Sequence, residues 1–213
     1  MAYHKFLDVA VIPSATEDEV WVIVERVIDG VTVSYLEQMQ PRDYGDLEDA
    51  WFVDSGISFA GAPTGVLIGL DHLEGETVSV FSGGVFVANR IVTDGEVTLE
   101  ESVTQAIVGL PYRYKLKPMR FDIGNQFQTT KGSLKRFAEL VISFFESSGA
   151  KYGVDADNLF DISDWPDTGL YTGDVVVAHE GGFDVEDSVI ITGDEPLPCV
   201  VRAMIPRIEK TGR

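Results

Sequence analysis

WFVDSG (51–56), GLDHLEGETVSVFSGGVF (69–86) and VTDGEVTLEESVTQAIVGLPY (92–112) decide the fold of this chain. Turn residues recur through this stretch at Asp54-Ser55-Gly56, Gly61-Ala62-Pro63, Glu74-Gly75, Ser82-Gly83-Gly84, Asp94-Gly95 and Gly109. Between them run ISFA, VLIGL, TVSVF, VFVANRIV, EVTL and TQAIVGL, which are rich in β-branched and aromatic residues. Strands of about five residues with a turn every eight to twelve or so predict a small sandwich or barrel. Only Leu70 to Gly75 reads as a single helical turn. The expected fold is all-β: a small antiparallel β-barrel module at 48–112, inserted in a β-sandwich-like domain built from both flanks, 1–47 and 113–213. At most one or two short helices are expected.

The flanks extend this reading. EVWVIVERV (19–27) and VTVSYLEQM (31–39) are joined at Asp29-Gly30, a strong hairpin signal. Pro41 to Asp49 is polar and turn-rich, a junction into the next unit. RFAELVISFFESSG (136–149) is ambiguous. Leu134, Phe137, Val141 and Phe144 fit a helical stripe, whereas Leu140, Ile142 and Phe144 fit one face of a strand. Three further strands are expected at Asp174 to Ala178, Ser188 to Thr192 and Cys199 to Ile205, the last delayed by Pro196-Leu197-Pro198.

Composition narrows the function classes. A 45% hydrophobic content over 213 residues supports a folded core and argues against disorder. No apolar run has membrane length. MAYHKFLDVAVIP lacks the basic and then apolar order of a secretory signal, and the lone Cys199 allows neither a disulfide framework nor a cysteine zinc site. The net charge of −19 disfavours binding to nucleic acid or to an anionic membrane.

Each constellation that could carry chemistry has a simpler structural explanation. The histidines are His4, His72 and His179, and His72 draws attention because it sits between Asp71 and Glu74. Carboxylates around a tight turn ordinarily cap the backbone. Asp155, Asp157 and Asn158 open like a calcium loop and are followed by Asp161, Asp164 and Asp167. The EF-hand pattern then fails at Leu159, at Phe160 where glycine is needed, and at Pro166 where a glutamate is needed. Gly83-Gly84 and Gly181-Gly182 do not open helices, so they read as turns rather than phosphate loops. Cys199 lies in an apolar run without a nearby histidine and reads as packing. The expectation is a protein that is not an enzyme and has no catalytic residues, cofactor or metal.

Charge is unevenly spread. Arg113, Lys115, Lys117, Arg120, Lys131, Lys135 and Arg136 form a basic island opposed only by Asp122. From Phe137 to Val201, 14 acidic residues face Lys151 alone. The island, interleaved with Tyr112, Tyr114 and Phe121, could track phosphates, dock on the acidic face of a neighbouring copy, or protect a solvated hairpin edge. So acidic a body favours the contact between copies.

The blocks Trp51–Gly56, Gly69–Gly75, Val92–Gly95 and Val108–Tyr112 resemble the core of a phage tail protein family. That family comprises the nozzle, or tubular tail B, and packaged-DNA stabilisation proteins of short-tailed phages and related prophages. Its ending is matched by Gly193-Asp194-Glu195-Pro196-Leu197-Pro198, the apolar run Val200 to Ile205, and Pro206. The resemblance covers most of Val9 to Arg207. It implies an all-β, ring-forming tail component, commonly hexameric, that prolongs the DNA channel below the portal and helps retain or release the genome. It also implies that Asp71–Gly75 belongs to a barrel related to one in ubiquitin-activating enzymes, and it favours a strand for Arg136 to Phe145.

Family members are usually much longer, which makes this chain a C-terminal portion or a shortened relative. Lys131 to Lys151 is more aromatic and less basic than the family pattern. The implied partners are copies of the chain, a portal or other tail proteins, and DNA in non-specific transit. The implied location is the virion tail, with bacterial cytoplasm during assembly. The acidic stretch after Phe137 fits a lumen, because it would repel phosphates within a Debye length of about 8 Å. The alternative is a carbohydrate- or receptor-binding β-module that uses Trp165 and Tyr171. A weaker one is an accessory hydrolase domain that uses Asp155 to Asp167.

Overall fold

The computed structural model describes residues 5–15, 17–41, 43–122, 131–163, 165–166, 169–179, 181–184 and 188–210. Its strands are β1 (Lys5–Ile12), β2 (Glu19–Ile28), β3 (Val31–Gln38), β4 (Asp54–Ile68), β5 (Thr77–Ser82), β6 (Val85–Ile91) and β7 (Glu96–Leu110). They continue with β8 (Tyr114–Leu116), β9 (Lys135–Ser147), β10 (Lys151–Gly153), β11 (Leu159–Asp161), β12 (Tyr171–Ala178), β13 (Ile190–Gly193) and β14 (Val200–Lys210). Two 3₁₀ turns, Leu47–Asp49 and Asp71–Leu73, are the only helical elements among the described residues. The fold is all-β.

The chain divides into two compact units, Met1–Tyr112 and Arg113–Arg213. Residues 1–47 therefore group with 48–112, where the sequence had suggested a domain shared with 113–213. The physical reason lies in the hairpin. Ile28 is part of the first unit's core, and Val33 and Tyr35 pack against it.

The first unit contains an open sheet ordered β1-β2-β3 and another ordered β4-β7-β5-β6. Neither closes, so the expected barrel is an open sheet. Tight turns mark the strand ends: Asp29-Gly30 between β2 and β3, Gly83-Gly84 between β5 and β6, and Asp94-Gly95 before β7 each place two consecutive residues at positive φ. That geometry matches the twist of the strands they join. Leu70, Leu73, and Val78 and Val80 of β5 are fully buried in one core with Leu67 of β4 and Val97 of β7.

β4 and β7 are each longer than the short runs predicted. Pairing passes from Ala60–Gln105 to Thr64–Val103, then from Thr64–Val103 to Val66–Thr98. Gly61-Ala62-Pro63 is thus absorbed as a bulge in β4, and β7 bulges in turn over 99–102. Neither segment reverses the chain. Gly109, expected in a turn, lies inside β7.

The second unit has a sheet ordered β11-β10-β13-β8 and one ordered β12-β9-β14. Its core draws Tyr152 and Ile191 from the first sheet, and Phe137, Ile142, Phe144 and Val175 from the second. The ambiguous segment is the central strand β9. Its pairing with β14 runs from Phe137–Ile208 to Glu139–Arg207, leaving Ala138 as a bulge. The bulge moves the buried set from Lys135 and Phe137 to Leu140, Ile142 and Phe144. One spacing of three thus enters a strand of period two, and this imitates a helical stripe.

Gly109 tests the packing of the first unit. A Cβ there would meet the Asp54 carbonyl oxygen and the Gly56 Cα, each at 2.7 Å, whereas one at Gly83 would meet nothing within 4 Å. In urea titrations Gly109→Ala is expected to lower stability by about 3 kcal/mol, from overpacking against backbone. Gly83→Ala should cost about 1 kcal/mol, from its positive φ alone.

Candidate functional site

In the first unit three of the resemblance blocks, Trp51–Gly56, Gly69–Gly75 and Val92–Gly95, meet at one turn. Leu70 donates its N–H to the Gly95 carbonyl at 2.8 Å, and Gly75 donates to Val92 at 3.1 Å. The Glu74 carboxylate accepts from the N–H groups of Asp94 and Gly95 at 3.0 and 2.8 Å. His72 donates from Nε2 to the Ser55 carbonyl at 2.8 Å, since a carbonyl can only accept. The Tyr35 hydroxyl donates to the His72 carbonyl at 2.5 Å. The His72 ring also meets that of Tyr35 edge-on, at 5.9 Å between centroids. His72 is thereby held as a connector between elements.

Beside this turn lies a groove of about 1010 Å³ walled by residues of β1 to β3, Trp51, Asp54 to Gly56, and Tyr112. Its polar wall is built on Arg26, which occupies an inward position of β2 after Val22 and Val24 and is 3% exposed. Arg26 Nε and Nη2 donate to the two oxygens of Glu37, both at 2.9 Å, and Nη1 lies 3.8 Å from Asp54. The Ser55 hydroxyl donates to the same Glu37 at 2.6 Å, from a backbone held at φ +48°. Burial pushes the Tyr35 and Tyr112 hydroxyls above the ordinary tyrosine range.

Sequence reasoning passed over Arg26 and Glu37. The available signal was a cation in the inward register of an apolar strand, because such a group needs a partner.

The basic island is dispersed in the second unit. Lys135 is fully buried, its Nζ donating to Asp122 at 2.5 Å, and Arg120 Nε donates to the same carboxylate at 3.2 Å. Lys135 is therefore an internal anchor and cannot touch another subunit or a phosphate. The Arg136 guanidinium lies over the Phe183 ring at 5.5 Å. Arg113 pairs with Asp194 at 3.2 Å, both largely exposed, a contact of little energetic weight. Lys115, Lys117 and Lys131 are exposed.

The remaining candidates fall into place separately. Trp165 packs against Phe144 at 4.9 Å and Tyr171 at 6.0 Å between centroids, and donates from Nε1 to the Ala150 carbonyl at 3.2 Å. Both aromatics named for saccharide stacking thus pack against the second core. Asp155 accepts from the N–H groups of Asp157 and Asn158 and from the Asn158 amide, which holds its carboxyl below the usual range. No group of three or more metal-ligating side chains forms among the described residues. Asp164, Asp167 and His4 lie outside those residues.

His179 is buried against Phe137, with ring centroids 5.4 Å apart. Cys199 is partly buried, which pushes its thiol up. Gly83-Gly84 is the β5–β6 turn.

The site thus belongs to an all-β protein in which Ser55, Asp71–Gly75 and Asp94-Gly95 are bonded to one another beside a groove. No protein-family model matches the chain, and no curated protein matches it.

Two ion pairs yield predictions. Glu37→Ala leaves the Arg26 guanidinium buried without its bidentate partner and is expected to cost about 3 kcal/mol. The apolar double replacement Arg26→Met with Glu37→Leu should be close to neutral, as read by urea unfolding.

In the second unit, the hydrogen bond from Lys135 holds Asp122 below its ordinary value of 3.8. A depressed carboxyl stabilises the fold above its unfolded pKa and loses that contribution as pH falls through the folded value. Melting temperature should therefore drop in acid below about pH 4, and less steeply in Asp122→Asn. At neutral pH, Asp122→Asn should destabilise more than Lys135→Met, because only the first strands a buried ammonium.

Proposed function

We propose that this chain is a structural component of a phage or prophage tail. Copies of it form a ring in the nozzle or tube extension below the portal, part of a conduit that helps retain or release the genome. The observation that carries the reading is the convergence of the resemblance blocks: Ser55, Asp71–Gly75 and Asp94-Gly95 are tied to one another in one structural turn. Such residues maintain a scaffold. No catalytic residue or cofactor is assigned.

The charge of −19 is in keeping with a surface past which DNA moves without adhering. Fixed carboxylates repel phosphates within about 8 Å at physiological salt, and few cations oppose them. In this reading the protein resides in the virion tail, reaches it from the bacterial cytoplasm, and adjoins a portal or other tail proteins.

The test is to purify particles from a host that makes the protein and to locate it in them by immunogold electron microscopy. Labelling at the tail, between the portal and the tail tip, is expected. Particles that assemble completely and package DNA without the chain would overturn the proposal.

A further inference from the structure

Strand β1 is an edge strand that buries almost nothing. Phe6, Val9 and Val11 are 72%, 63% and 58% exposed, yet their partners in the register are Val24, Val22 and Val20. Directly paired residues share a face, so these three side chains extend the apolar face of β2 into the open. Phe6 itself lines the groove. A contiguous apolar surface of this kind, unlike scattered single residues, marks a place where another protein packs.

The charge around it specifies what packs there. Met1–Tyr112 carries 19 acidic residues against 4 Lys and Arg, and Asp54 on the groove wall is 45% exposed. An acidic partner would be repelled and a cationic one steered in. The chain itself holds such a segment. In and just after β8, the exposed Lys115 and Lys117 alternate with Leu116, 41% exposed, and are followed by Met119, 91% exposed. Neither lysine forms a salt bridge among the described residues, and Lys115 acts on the Asp155 carboxylate only as a lesser, longer-range charge.

We infer that the apolar face of β1 and β2 is a socket for the Tyr114–Met119 segment of a second copy of this chain. Leu116 and Met119 pack against Phe6, Val9 and Val11, while Lys115 and Lys117 face the acidic wall. Socket and plug are different surfaces, so the contact is head-to-tail and leaves one of each open at the ends of any unclosed assembly. This inference rests on the reading of the chain as a self-assembling tail subunit and names the surface by which it assembles.

The test uses the full chain in sedimentation velocity over a range of concentrations, with near-ultraviolet circular dichroism to verify folding. Two variants are compared: a socket variant, Val9→Ser with Val11→Ser, and a plug variant, Lys115→Glu with Lys117→Glu. The wild type should gain mass with concentration, and each variant alone should associate at least about tenfold more weakly. Mixed together, the variants should form a one-to-one dimer and nothing larger, because one retains only a plug and the other only a socket.

A wild type that stays monomeric would overturn the inference, as would folded plug variants that associate like the wild type. The plug variant alone is decisive if the socket variant fails to fold, since both of its substitutions are on exposed side chains. Variants that assemble normally and still reach the tail would remove the socket and leave the tail reading intact. Intact self-association of a chain absent from tail particles would do the reverse.

Discussion

The turn from Asp71 to Glu76 is the constraint on which Met1–Tyr112 depends. Few residues there satisfy backbone groups from several distant stretches of chain: Glu74 takes the two N–H groups of the Asp94-Gly95 turn, and His72 reaches Ser55. Tyr35 closes on the His72 carbonyl from β3, and Glu76 accepts from the Asp29 N–H at the other hairpin turn. Leu70 and Leu73 fill the core beneath, at 0% exposure. These bonds tie the start of β4 and the chain before β7 and β3 to one turn, and the apolar side chains beneath it hold the turn itself in the core. Gly95 shows how close the fit is, since a Cβ on it would meet the Asp71 carboxylate at 2.6 Å.

The second unit uses a different anchor with the same logic. Lys135 is buried at the start of β9, where its ammonium holds Asp122 while its backbone exchanges hydrogen bonds with Asp184 at 3.0 and 2.9 Å. Phe121 lies edge-on to Phe137 at 5.7 Å between centroids, so the approach to this ion pair is packed as well as bonded. A cation in the expected basic contact surface is thereby withdrawn from it, and the cations left outside are concentrated near β8. Taken with the acidic first unit, this gives the chain two surfaces of opposite character.

The hairpins were legible in the sequence because their cause is local. Asp29-Gly30 and Gly83-Gly84 take positive φ, and adjoining runs of period two do the rest. Where non-local pairing intervened, local reading failed in a definable way. Gly61-Ala62-Pro63 has the composition of a turn, but the ladder to β7 resumes beyond it, so the segment bulges. The Ala138 bulge disguised β9 as a helix because one extra residue breaks the period of two. The site was legible only in part. His72 was correctly read as a turn residue, whereas Arg26 was passed over because its partner Glu37 lies on another strand.

The sequence by itself determined the all-β class, the turns at Asp29-Gly30, Gly83-Gly84 and Asp94-Gly95, and the excess of negative charge, since each follows from composition or from neighbours a few residues apart. Only the tertiary structure decided which strands share a sheet, that residues 1–47 group with 48–112, and that Lys135 lies inside while Phe6, Val9 and Val11 lie outside. Those outcomes depend on contacts between distant residues. A period-two pattern shows that a strand has two faces, but burial of a face requires another element to cover it, and for β1 no described part of the chain does.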